Sequence, residues 1–357
     1  MDKIRPIAYY LPQFHRLKFN DDYWGKGFTE WTNTAKAKPL FKGHYQPHIP
    51  ADLGFYDLSL SSVREEQAAL AEKYGIYGFC YWHYWFRKGY QVMEMPFQEV
   101  LKSGTPDFPF CLAWANHDWH NLQTREVILR QEYGGKDDYE EHFYSLLPAF
   151  QDHRYITYKG KPIFVIFDPV GFNDFDEFKR IWNCLALQQG LNSFYFIGIV
   201  KEDDDIDTLI QRGYNAVNTI RLGAFFKHIN PFRQKLNVVL HKLYKHPNVY
   251  EFSDVMKYFI NENDEKENVI PTIISGWDHT PRSGKEALVF NHCTPTIFSE
   301  HVKDTFEHIK NKENKLCFIR AWNEWAEGNH LEPDLKYGTG FLEAVSQNLH
   351  QLYPTCI

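Results

Sequence analysis

The chain has 357 residues, 43% of them hydrophobic and 17% aromatic, with 39 basic against 46 acidic side chains and a net charge of −7. So apolar a chain can bury a large core, which excludes wholesale disorder. The acidic balance argues against a nucleic-acid binder held by phosphate contacts and against polybasic association with a membrane surface.

The start, MDKIRPIAYYLPQFH, lacks the unbroken apolar stretch and small-residue cleavage site of a signal peptide. A cytoplasmic protein is the expectation, or a periplasmic one if a leader has been removed. In chain order, strand-like apolar runs fall at 4–11, 77–85, 108–115, 162–168, 194–200, 216–220, 269–276 and 315–322. Helical patterns lie between them at 61–74, 137–151, 174–189, 204–212, 251–263 and 299–312. Most of the strand runs are apolar almost throughout, as parallel strands covered on both faces should be. Eight strands alternating with helices over this length favour a closed (β/α)8 TIM barrel of the α/β class over an open sheet. The first strand is followed by no Gly-rich phosphate loop of the kind a dinucleotide-binding sheet carries.

No repeat, low-complexity tract or linker divides the sequence, so residues 1–357 are expected to form one catalytic barrel domain. Residues 12–60 and 221–250 lack regular pattern and read as long insertions. The first follows strand one and should lie over the C-terminal mouth, where barrel enzymes place their sites. No run of about 18 apolar residues occurs, so no membrane insertion is expected. The six cysteines form no CxxC pair, and Cys80, Cys111 and Cys317 sit in apolar runs as small core hydrophobes.

A barrel enzyme should gather unusual polar residues just after its strand ends, and this chain does so. Trp82, His83, Tyr84 and Trp85 close strand two. Trp114, Asn116, His117, Asp118, Trp119 and His120 follow strand three, and Asp168 ends strand four. Trp277, Asp278, His279 and Arg282 follow strand seven. Trp322, Asn323, Glu324, Trp325, Glu327 and His330 follow strand eight. Aromatic faces stack on the C–H face of a pyranose while carboxylates and amides bond its hydroxyls, so the set suits a sugar pocket. The plainer reading of any one tryptophan is that it fills the barrel.

Glu324 and Glu327 are the sharpest feature. Two neighbouring carboxyls are the minimal equipment of glycoside hydrolysis. Residues three apart share a face in a helical or turn-like segment but not in a continuing strand, so the chain must bend here, and Gly328 permits it. Flanking Trp322 and Trp325 would desolvate one acid and raise its pKa. Two surface acids in a loop are the alternative. Residues 201–207 (KEDDDID) could supply a metal-binding Asp-x-Asp motif, although acids capping the next helix explain them more simply. His83, His117, His120, His279 and His330 show no His-Glu-x-x-His spacing. No metal or other cofactor is expected.

The segments YYLPQFH (9–15), WGKGFTEWTN (24–33), FKGHYQPHIPADLGFYDL (41–58), GFCYWHYWF (78–86), WDHTPR (277–282) and AWNEWAEGNHLEPD (321–334) together resemble WbsX-type proteins of bacterial polysaccharide gene clusters, which are related to glycoside hydrolase family 99. The resemblance implies a (β/α)8 barrel and retaining, metal-independent cleavage of α-mannosidic bonds. It implies that Glu324 deprotonates the sugar 2-hydroxyl and that Glu327 protonates the leaving oxygen. Ala326 stands where family 99 proper has histidine. WbsX relatives commonly show Trp-Ala-Asn-Glu-Asn-Trp after strand three; here Trp114 to Trp119 carries His117 in place of the glutamate.

The leading expectation is a retaining glycoside hydrolase acting on an α-linked manno-configured residue (mannose or a 6-deoxy relative) of a bacterial surface polysaccharide. Catalysis falls to Glu324 and Glu327. Substrate binding is assigned to Tyr10, Glu30, Trp31, His44, His83, Tyr84, Trp114, Asn116, His117, Asp118, Asp168, Trp277, Asp278, Arg282, Trp322, Asn323 and His330. The partner is an oligo- or polysaccharide, with no nucleic acid. A glycosyltransferase of lipopolysaccharide or capsule synthesis and an idle sugar-binding protein are the alternatives.

Overall fold

Continuous apolar runs bury both of their faces only inside a closed, helix-covered sheet, and that is what forms. The computed structural model describes residues 3–121, 126–230, 239, 241–243 and 246–354. Eight parallel strands make the barrel: β1 (Arg5–Tyr10), β2 (Gly78–Phe86), β3 (Phe110–Trp114), β4 (Lys161–Ile166), β5 (Tyr195–Val200), β6 (Ala216–Thr219), β7 (Val269–Ile274) and β8 (Leu316–Arg320). Each pairs with the next, and β8 pairs with β1 through Arg5–Leu316 to Ala8–Ile319, which closes the ring. Every residue of β5 and β7 is buried.

The outer layer consists of α1 (Ser61–Lys73), α2 (Met95–Ser103), α3 (Lys136–Phe150), α4 (Phe175–Gln188), α5 (Ile206–Gln211), α6 (Pro295–Ile309) and α7 (Gly340–Leu352). The helix expected over 251–263 does not form as one piece. A single turn, Phe252–Val255, is followed by 3-10 turns at Met256–Tyr258 and Glu262–Glu265. Polar side chains break it: Asn261 Oδ1 accepts from the Asn263 amide and the Asp264 carboxylate from the Asn261 amide, so the backbone is satisfied locally. α2 and α7 were not among the helices expected, although each buries an apolar face.

The first insertion carries two short helices, Lys18–Trp24 and Glu30–Lys36, and contributes residues to the C-terminal mouth as expected. The second, 221–250, lies partly outside the described residues. Its described end, Asn248–Glu251, joins Leu288–Asn291 and Trp277–Asp278 in a small sheet beside the mouth. Inside the barrel Tyr9 stacks between Trp82 (centroids 4.8 Å apart) and Phe318 (4.9 Å), and its hydroxyl donates to Asn218 Oδ1 at 2.8 Å. That stack is the floor on which the site rests. Among the described residues no helix is long and apolar enough to cross a membrane.

Candidate active site

A cleft of about 680 Å³ opens over the C-terminal ends of the strands. A larger cavity, about 850 Å³, lies at the other end of the barrel around Ile4, Ile76 and Phe108. Its acids are Glu72 and Glu313, and Glu313 pairs with Lys159 at 2.8 Å. The chemistry converges in the first cleft.

After β8 the chain turns sharply. Asn323–Glu324 pairs antiparallel with Asn329–His330, and Trp325–Glu327 forms a 3-10 turn between them. Gly328 ends the turn at φ +63°, where a Cβ would meet Asp278 Cβ at 2.8 Å, so glycine is required both by conformation and by space. The bend puts the side chains of Glu324 and Glu327 on one guanidinium. Arg282 donates through Nη1 to Glu327 Oε1 at 2.6 Å and through Nη2 to Glu324 Oε1 at 2.8 Å. Its Nη2 also lies 3.1 Å from Glu30 Oε2, supplied by the first insertion. Arg320, the last residue of β8, donates to the other oxygen of Glu327 at 3.3 Å, and His279 Nε2 stands 3.7 Å from Glu327.

Three carboxyl groups thus face two guanidinium groups, which stay charged. The arrangement is one proton short of neutral, and Glu324 supplies the place for it. Burial, with Glu327 and Glu30 nearby, pushes its pKa up to about 8 against the pull of Arg282. Burial also works to raise Glu327, but Arg282, Arg320 and His279 outweigh it and hold that group below the usual carboxylate range. The resemblance makes Glu327 the proton donor, whereas these surroundings favour the protonated form of Glu324.

The turn is anchored from behind. Trp325 Nε1 donates to Glu332 at 2.6 Å, and Tyr56 (2.8 Å) and Gln67 (2.6 Å) donate to the same carboxyl, which burial pushes up to about 7. Asn323 accepts from the Leu11 amide at 2.7 Å and donates to the Leu11 carbonyl at 3.0 Å, fastening the loop to the chain just after β1.

Of the residues assigned from sequence, Glu30, Tyr84, His117, Asp118, Arg282, Glu324 and Glu327 line the cleft. The other assignments are corrected by their placement. Strand alternation turns His83 outward, where its Nε2 lies 2.9 Å from His142 Nε2, and Trp114 outward onto Phe178. Tyr10 is buried in the core and donates to Gln67. Asn116 ties strand ends together, accepting from the Asp168 amide and donating to the Asp168 carbonyl, while the Asp168 carboxylate accepts from Gly171. His44 and Gln46 bond Asp278 at 2.7 Å each. Burial works to raise Asp278, but those bonds and one from Thr280 hold it low. Trp31 packs on Trp325, with its Nε1 on the Tyr56 carbonyl. Trp277 carries Arg320 over its ring at 5.0 Å. Trp322 and Asn323 are fully buried, and His330 lies behind Trp325, stacked at 3.7 Å.

Sequence reasoning assigned neither Arg320 nor Trp82 to the substrate, although Trp82 and His279 both stood in the strand-end set that suits a sugar pocket. Period-two alternation would have found the first two: Trp82 shares parity with Tyr84, and Arg320 with Phe318, which faces inward. Asp203, the first aspartate of the 201–207 run, is held by Arg221 (2.7 Å) and Asn261 (2.6 Å).

The closed barrel defines the class of protein. Its fold is similar to that of the GH99 endo-alpha-mannosidase from Bacteroides thetaiotaomicron, at a TM-score of 0.58 and 13% identity over 98% of this chain and 97% of that one. A second solved structure, a glycoside hydrolase-like protein, matches at a TM-score of 0.57 and 14% identity over 100% of this chain and 95% of its own. The chain belongs to the WbsX family: the family described as glycosyltransferase WbsX matches residues 6–345. The uncharacterized protein WxcX of Xanthomonas campestris pv. campestris strain B100 is 31% identical over 96% of the chain. The chain spans about half the length of that relative, 49%, and the same share of WxcX from a second strain of that pathovar.

Proposed function

We propose that this protein is a retaining glycoside hydrolase cleaving an α-linked, manno-configured residue of a bacterial surface polysaccharide, by way of a 1,2-anhydro sugar. One observation carries the reading: Glu324 and Glu327 meet on the Arg282 guanidinium in a barrel-mouth cleft, where burial favours the protonated form of the first and the cations favour the ionised form of the second. Family membership and the family 99 fold support the substrate class, and Trp82, Trp119 and Tyr84 offer aromatic surface in the cleft.

In an α-manno sugar O2 and the leaving group are axial on opposite faces. Glu324 takes the O2 proton as O2 attacks C1; the bond to the leaving sugar breaks and Glu327 gives its proton to the departing oxygen. Glu327 then takes a proton from water as that water attacks C1. The C1–O2 bond opens, and Glu324 returns its proton to O2. Configuration is retained, and the pair carries one proton throughout. Holding the internal nucleophile in place makes the first step unimolecular.

Environments that favour a protonated Glu324 and an ionised Glu327 match the charge state of the second half-reaction. An O2 hydroxyl donating to Glu324 and a glycosidic oxygen at Glu327 would shift the proton across. Because the pair keeps its proton only below about pH 8, kcat/KM should fall as pH rises through that value. A pH–rate profile flat to pH 10 would show that no such proton is needed.

The direct test is a panel of α-manno and α-rhamno bacterial glycans, followed by NMR of the first-formed anomer. The α product should appear first, and an O2-methylated substrate should resist cleavage. A β product, or equal cleavage of the blocked substrate, defeats the mechanism. The family description favours a second reading, transfer from a nucleotide sugar, and the same panel run with donor and Mn²⁺ separates the two. Under that reading, sugar passes to an acceptor glycan and none is released to water.

A further inference from the structure

The geometry points to a divalent transition-metal site of the zinc type at His48, His330 and Asp334, clipping the first insertion to the loop that carries Glu324 and Glu327. One donor atom from each of the three lies within 4.8 Å of the others. A tetrahedral zinc ion holds its ligands at about 2.0–2.2 Å and so wants them roughly 3.3 Å apart. Small rotations of His48 and Asp334 would cover the difference.

The hydrogen bonds prepare the donors. His330 Nδ1 donates to the Glu332 carbonyl at 2.9 Å, which leaves its Nε2 as a bare lone pair aimed at His48 Nδ1, 2.8 Å away. His48 therefore needs only to change tautomer for both nitrogens to face an ion. Asp334 Oδ1 accepts from the amides of Lys336 (2.9 Å) and Tyr337 (2.6 Å), and the Tyr45 hydroxyl also bonds this carboxylate. Metal ligands are commonly oriented in this way, imidazole by a backbone carbonyl and carboxylate by further donors. His330 and Asp334 are buried, and an adjoining cavity of about 60 Å³ has space for a water as fourth ligand.

The cluster is separate from the cleft: the two cavities share no lining residue. Yet the His330 ring stacks at 3.7 Å on Trp325, which lies between the two glutamates in sequence. An ion here would join residue 48 to residues 330 and 334 and steady that turn.

The test needs no catalytic activity, so its result is independent of the hydrolase reading. The chelator-stripped chain is titrated with zinc by calorimetry and by thermal unfolding, and crystals are measured at the zinc absorption edge. One ion per chain should bind and raise Tm, with anomalous density between the three side chains. His48→Ala, at a half-buried position, and Asp334→Asn, which keeps the Oδ1 acceptor, should each weaken binding at least about tenfold. Unchanged affinity in His48→Ala, density only at other histidines, or no stoichiometric binding by the wild type would overturn the assignment.

Discussion

Glu324→Gln and Glu327→Gln should each lower hydrolysis by about 10²–10⁴-fold, the usual worth of a positioned acid or base. Their effects on the fold should differ. Burial favours the neutral form of Glu324, and glutamine is close to isosteric with a neutral carboxyl, so its Tm should hardly move. Glu327 is ionised against Arg282 and Arg320, and its replacement leaves two guanidinium groups facing Glu30 and Glu324. Glu324 should then give up its proton to restore neutrality, and its pKa should drop toward the ordinary range. That shift is measurable by carboxyl titration in the variant. Because the two act as a unit, the double variant should be little slower than either single one. Near-wild-type turnover in a folded single variant would remove the pair from the reaction.

Arg282→Met should be the most destabilising single change in the cleft, by about 3–5 kcal/mol, because it strands buried charge. Arg282 touches Glu324, Glu327 and Glu30, and its side chain is only 13% exposed. The loss should depend on pH with a definite sign. In the wild type Glu327 is held below its unfolded pKa, so its contribution is present above roughly pH 4.3 and lost as pH falls through the folded value. Without Arg282 that contribution is largely gone, and the deficit against wild type should be large at pH 8 and shrink on acidification. Urea unfolding at pH 3 and pH 8 reads the difference. An equal deficit at both values would mean that Arg282 acts by packing alone. Arg282→Lys should fall between, since one ammonium keeps the charge but lacks the planar fork that reaches both glutamates.

The strands were legible because most are nearly unbroken apolar runs, and such runs have few places to go other than a covered parallel sheet. The site loops were legible for the opposite reason, as polar and aromatic residues crowd the ends of those runs. Facing was lost. His83 and Trp114 were assigned to sugar by residue type, yet the pleat turns them toward the helices, while Trp82 beside His83 faces the cleft. Arg320, a lone charge closing an apolar strand, was the available sign of an inward-facing cation. Partnerships such as His44 with Asp278, 234 residues apart, had no local signature. Nor did the disruption of 251–263, where Asn261 and Asp264 turn back on the backbone.

Asn323 grips the Leu11 backbone across 312 residues of sequence, one position before Glu324. The seam of the barrel and the turn that carries Glu324 are therefore assembled in the same event, since Glu324 is held in place only once the end of β8 has met the end of β1. A chain clipped between β1 and β8 should therefore lose the Glu324–Glu327 arrangement outright, rather than keep a loosened form of it.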